Sequence, residues 1–180
     1  SQVNVIPGEV RIETYVRGRT MEAILDTNKK VDRALRAGAL ALGAKVEIET
    51  LPGYMPMTCD PLMADRFKAN AVALVGEEHY RQIGHRTGST DMGDLSQVMP
   101  VLHPYVGGAR GTGHGADYEI VDKHLAYLVT AKSLAAMVVD MLGEGAAGAR
   151  EVLQKAKPPM TREQYLAFQR GLAKRETYEG

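Results

Sequence analysis

Residues 9–17, E-V-R-I-E-T-Y-V-R, alternate in character along the chain. Val10, Ile12, Thr14 and Val16 point one way, and Arg11, Glu13, Tyr15 and Arg17 the other. That period of two predicts a half-buried strand. Pro7-Gly8 marks a turn before it, with a short strand expected at Val3 to Ile6. Thr20 is the predicted N-cap of a helix, with Glu22 in its first turn. Ile24, Asn28, Val31, Leu35, Ala39 and Leu42 follow at helical spacing, forming a face that is apolar apart from Asn28. Gly43 is the expected stop, and Gly38 is a weak point inside the helix. Lys45 to Leu51 alternates again and predicts a second strand. Strand, helix and strand over 9–51 form half of a split βαβ unit, best packed as a two-layer α/β arrangement.

Pro52-Gly53-Tyr54-Met55-Pro56 interrupts the pattern, so two parts are expected, residues 1–55 and 56–180. Asp60-Pro61 reads as an N-cap with proline at the first helical position, opening a helix from about Pro61 to Val75 that ends at Gly76. A short strand is expected from Arg81 to Thr87, and a long apolar helix from about Ile120 to Leu142. G-E-G-A-A-G breaks that helix, and another begins near Arg150. Thr161 caps a last helix to about Ala173, leaving K-R-E-T-Y-E-G as a charged tail expected to fray.

The stretch from His85 to Tyr118 carries most of the candidate chemistry. Five glycines fall within residues 107–115, around Arg110 and His114. Glycine is used where the backbone needs positive φ or close approach, so this reads as a loop shaped by a site or, more blandly, as a linker. His114, with Asp117 close by, is the candidate metal ligand or general base. One histidine does not make a metal site, and no H-x-x-x-H, H-x-D or cysteine pair accompanies it. Asp91 and Asp94 in D-M-G-D read either as groups that bind or orient a ligand or as helix-capping residues, with capping favoured for Asp94. G-T-G-H-G lacks the lysine and the strand–helix setting of a phosphate loop. Arg17, at a predicted strand end, could pair with a substrate carboxylate or simply be solvated.

Composition narrows the partners. Lys plus Arg and Asp plus Glu both number 22, which argues against nucleic acid or an anionic membrane as a partner. The single cysteine, Cys59, points to a reducing compartment, so a cytoplasmic protein is expected. No apolar run is read as long enough for a bilayer span, and no signal peptide is recognised. The opening Ser1-Gln2, without Met, suggests a piece of a longer chain.

Three motifs together resemble the C-terminal portion of a metallopeptidase of the aminoacylase and carboxypeptidase G type, in the amidohydrolase branch that includes p-aminobenzoyl-glutamate hydrolase. They are N-V-I-P-G-E-V (Asn4 to Val10) with the strand ending at Arg17, G-S-T-D-M-G-D-L-S (Gly88 to Ser96), and G-T-G-H-G-A-D-Y before an apolar helix. The resemblance implies an α/β fold: half of a split βαβ, ferredoxin-like lid domain, then the C-terminal α/β part of the catalytic domain. It implies hydrolysis of an amide bond in a small N-acyl amino acid, aided by a divalent metal (zinc or manganese), in a homodimer. His114 falls on a metal-ligand position, Asn4 and Arg17 on positions that reach the substrate carboxylate, and Asp91 near the metal centre. The remaining ligands and the Glu base have no counterpart here, so no catalytic residue is assigned and the chain alone is expected to be inactive. The alternative is a non-catalytic dimerisation or ligand-binding module of the same fold.

Overall fold

The computed structural model describes residues 4–84, 86 and 88–180. His85 and Thr87, and with them the end of the strand expected at 81–87, lie outside the described residues, as does Val3. The chain forms two compact units: Ser1–Ile48 with Arg175–Gly180, and Glu49–Lys174. Helices with small two-stranded sheets make a mixed architecture compatible with the α/β class.

In the first unit, helix α1 spans Met21–Ala41. Thr20 is extended, and its hydroxyl accepts from the Ala23 N–H at 3.2 Å. Ile24, Asn28, Val31, Leu35 and Ala39 are all at least half-buried, as their spacing predicts, whereas Leu42 is 85% exposed. The helix closes with Gly43 at φ 59°, as the Gly43 and Ala44 N–H groups donate back to Leu40 and Ala39. This paired closure satisfies carbonyls that the last turn would otherwise leave orphaned. Strand β1 follows at Val46–Thr50, with Ile48 buried.

Two expectations are corrected here. Residues 9–17 form no strand, and Val10, Ile12 and Tyr15 are largely exposed. Alternation supplies a face for a strand, but the strand itself exists only through ladder hydrogen bonds, and no described segment pairs with this one. The charged tail, expected to fray, instead forms a strand (Lys174–Tyr178, called β4 below) that pairs with β1. Glu47 bonds Arg175, and Lys45 lies 3.5 Å from Glu179, so the two strands run antiparallel.

The second unit is mainly helical. Helix α2 spans Pro61–Val75, its Asp60 cap accepting from the Met63 N–H at 2.9 Å. A short helix α3 occupies Met92–Leu95, and strands β2 (Ala109–Arg110) and β3 (Glu119–Ile120) form an antiparallel hairpin. A wide π-helical turn, His124–Val129, leads into α4, Thr130–Lys155. At Gly143–Ala146 the backbone leaves the helical region, with Glu144 at φ 49° and Ala146 at φ 65°, so the glycine-rich break divides α4 in two. Asn70 donates to Asp140 at 2.6 Å and Arg66 to Glu151 at 2.6 Å, tying α2 to both halves. Helix α5, Arg162–Leu172, opens with a reciprocal capping box between Thr161 and Gln164.

His124–Lys155 also corrects the reading that no run is long enough for a bilayer. By length and composition it is, with a mean hydropathy of 1.6 in its most apolar window. Long helices packed inside proteins share that length and composition, and the break at Gly143–Ala146 interrupts this one.

Candidate functional site

The D-M-G-D-L-S-Q segment is a structural knot. Gly93 lies against the backbone of Met55, itself only 1% exposed; a Cβ on Gly93 would stand 1.9 Å from the Met55 carbonyl oxygen. Only glycine permits that approach. Around it, the Asp94 carboxylate accepts from the Met55 N–H at 3.4 Å and from the Gln169 amide of α5 at 2.9 Å. Ser96 accepts from the Thr58 N–H at 3.3 Å and donates to the Gly93 carbonyl at 2.6 Å. Gln97 donates to the Pro56 carbonyl at 3.0 Å, and its own carbonyl accepts from the Met160 N–H at 2.9 Å. Three segments distant in sequence therefore meet at α3.

The two aspartates of this motif differ. Asp91 is exposed, and its carboxylate accepts from the Thr90 hydroxyl at 3.0 Å without capping α3. Asp94 is the half-buried member that holds distant backbone and side-chain donors.

The glycine-rich run is a built hairpin loop. Arg110 on β2 pairs with Glu119 directly across on β3, Nε to Oε1 at 2.7 Å. Both Asp117 carboxylate oxygens lie 3.2 Å from the Thr112 N–H. Gly111, at φ 94°, sits so close that a Cβ would stand 2.2 Å from the Asp117 carbonyl oxygen. The Asp117 carboxylate thus closes the loop on its own Thr112 N–H. Asp117 is committed to loop closure, not to a hydrogen bond with the His114 ring. His114 lies exposed at the loop tip with φ 64°, a left-handed conformation uncommon for a residue with a Cβ.

Asn4 and Arg17 belong to the first unit and are exposed; the Arg17 guanidinium lies 5.3 Å from the Tyr15 ring centroid. His114 and Asp91 belong to the second unit, and no hydrogen bond or ion pair joins them among the described residues. His103, which sequence reasoning passed over, sits edge-on to Tyr105 at 5.2 Å. Its Nδ1 is buried without a hydrogen-bond partner among the described residues. Its flanking apolar residues and Pro104 were the signal that it lies in a packed segment.

A metal of the expected kind needs three or four protein donors converging on one point. No group of three or more His, Cys, Asp or Glu side chains does so among the described residues. These residues therefore do not by themselves fit a metal centre.

The electrostatics concentrate elsewhere. The Glu151 carboxyl is held below the usual glutamate range by its hydrogen bonds to Lys155 and to Arg66. In the first unit, Arg175 similarly lowers Glu47. Both are structural staples between elements rather than groups poised for proton transfer.

Comparison with known proteins gives the class of its relatives first: the sequence is similar to dipeptidases. It is 30% identical over 148 residues, 77% of this chain, to the Xaa-Arg dipeptidase of Mus musculus. It is 28% identical over 149 residues to the Xaa-Arg dipeptidase of Homo sapiens. Each alignment covers 34% of the relative, so the chain spans about a third of the length of the curated relatives it matches. No family model matches the chain. No solved structure matches it.

Proposed function

We propose that this chain is one portion of a metal-dependent amidohydrolase that cleaves an amide bond preceding a free amino acid. The observation that carries the reading is the 30% identity to a dipeptidase across 77% of the chain. The relatives' name makes dipeptides ending in arginine the first substrates to try. Amides joining an aryl-acyl group to an amino acid, such as p-aminobenzoyl-glutamate, are the second class, favoured by the likeness of the Gly88–Ser96 motif. In this reading Asn4 and Arg17 meet the substrate carboxylate, Arg17 through a two-pronged guanidinium contact. His114 offers one metal ligand from an exposed loop tip, and the rest of the ligand shell lies outside the described residues. In the same reading Asp91 stands near the metal centre, while Asp94 holds α3 to Met55 and Gln169.

A chimera tests this reading. The matched residues of this chain would replace their counterparts in the mouse dipeptidase, and hydrolysis of Xaa-Arg dipeptides and of p-aminobenzoyl-glutamate would be measured. The proposal expects the chimera to hydrolyse at least one class while the isolated chain hydrolyses neither. A folded, dimerisation-competent chimera inactive on both would refute it and favour the non-catalytic binding module.

A further inference from the structure

The loop joining β2 to β3 puts a histidine where its backbone would favour a glycine. The Gly115 N–H donates to the Thr112 carbonyl at 2.7 Å, which closes a turn over residues 112–115. His114, the third residue of that turn, has φ 64°. A positive φ at the third position is the type II pattern, and glycine is its usual occupant. A side chain with a Cβ keeps that conformation only where its surroundings hold it there.

The restraint comes from Asp117. Its two carboxylate oxygens straddle the Thr112 N–H, each at 3.2 Å. His114 therefore lies between two closures that both return to Thr112, one through Gly115 and one through Asp117. The glycines beside the carboxylate are fitted to it. A Cβ on Gly115 would stand 2.4 Å from the Asp117 Oδ1, and one on Gly111 would stand 2.2 Å from the Asp117 carbonyl oxygen. At the base of the loop, the Tyr118 N–H donates to the Gly115 carbonyl at 3.2 Å, and Arg110 pairs with Glu119 across the two strands.

From this geometry we infer that Asp117 is a positioning residue for His114. It makes no hydrogen bond to the ring; it fixes the backbone from which the ring projects. A hydrogen bond from a backbone N–H to a carboxylate is charge-assisted, and stronger than one between neutral groups. A functional side chain is effective only when a supporting shell holds it before its ligand arrives, and Asp117 supplies that support. The inference rests on the reading of His114 as a group of the hydrolase site, and it adds to that site a carboxylate acting through the loop.

The test measures the loop and the chemistry separately. In the full chain, three-bond HN–Hα couplings and amide relaxation report the φ of His114 and the order of residues 111–118. Asp117→Ala should release His114 from the left-handed region and raise the mobility of the loop. Gly115→Ala, which pushes the carboxylate aside, should do the same. Asp117→Asn, whose amide oxygen still accepts from the Thr112 N–H, should keep both near wild type. In the dipeptidase chimera, Asp117→Ala should lower kcat per folded molecule by about tenfold, inside the roughly hundredfold that a misplacement of about 1 Å costs. KM should stay unchanged, and Asp117→Asn should restore the rate. A merely structural Asp117 would lower the melting temperature and leave kcat of the folded fraction alone. The inference is overturned if His114 keeps its φ and its order in Asp117→Ala, or if the loop loosens while kcat stays at the wild-type value. A chimera inactive with Asp117 in place sinks the hydrolase reading instead, and the couplings then decide alone whether Asp117 holds His114.

Discussion

Gly93 and Met55 touch backbone to backbone: the position of a Cβ on Gly93 lies 1.9 Å from the Met55 carbonyl oxygen. That approach brings the 52–58 segment, α3 and α5 to one point, because Asp94 beside it holds both Met55 and Gln169 of α5, and Gln97 holds Pro56. Gly93→Ala forces backbone against backbone, so it should destabilise the chain by about 2–3 kcal/mol, the upper part of the overpacking range. Urea denaturation measures this. A change near zero would mean that α3 does not sit on Met55.

The opposite sign is expected at Gly38. It lies inside α1, and a Cβ there meets nothing within 4 Å. Gly38→Ala should stabilise the helix by roughly 0.5–1 kcal/mol, because alanine loses less backbone entropy than glycine on entering a helix. Thermal melts of the two glycine variants side by side give the comparison.

Asp91 and Asp94 should separate cleanly. Asp94→Ala strands the Met55 N–H and the Gln169 amide and should cost roughly 1–3 kcal/mol. Asp91→Ala removes a surface contact to the Thr90 hydroxyl and should stay within about 0.5 kcal/mol. Equal effects would contradict the division of scaffold and site drawn here.

Sequence reasoning set the structural reading and the functional reading of Asp94 side by side, but no local pattern could show that its partner lies on α5. The same limit explains β4. K-R-E-T-Y has no apolar alternation, and its strand state is conferred by β1, more than a hundred residues earlier. The 9–17 segment is the converse case, with a clear period of two and no partner. What was legible was local: the Thr20, Asp60 and Thr161 caps, the buried face of α1, and the break at Gly143–Ala146. At the candidate site, sequence placed His114 in a shaped loop but read Asp117 as its companion, whereas the loop uses Asp117 to close itself.

Acid should loosen the second unit through Glu151. Lys155 and Arg66 hold its folded-state carboxyl below the ordinary glutamate value of 4.5. A depressed carboxyl contributes stability that is present above the unfolded value and is lost as pH falls through the lower, folded one. The wild type should therefore lose more stability than Glu151→Gln as pH drops from about 6 to about 3, with the difference reduced in high salt. Parallel acid titrations of unfolding free energy would reveal it, and identical curves would show that the Arg66–Glu151–Lys155 staple contributes nothing.

His114 is proposed to offer this chain's ligand to a hydrolytic metal. That role is tested most directly by the metal content of the dipeptidase chimera carrying His114→Ala, with His124→Ala as the control. His114→Ala should lower bound zinc or manganese and reduce hydrolysis by at least about tenfold, the scale expected when a group holding a metal is disturbed, while His124→Ala should leave both unchanged. Full metal occupancy and undiminished hydrolysis in the His114→Ala chimera would contradict it.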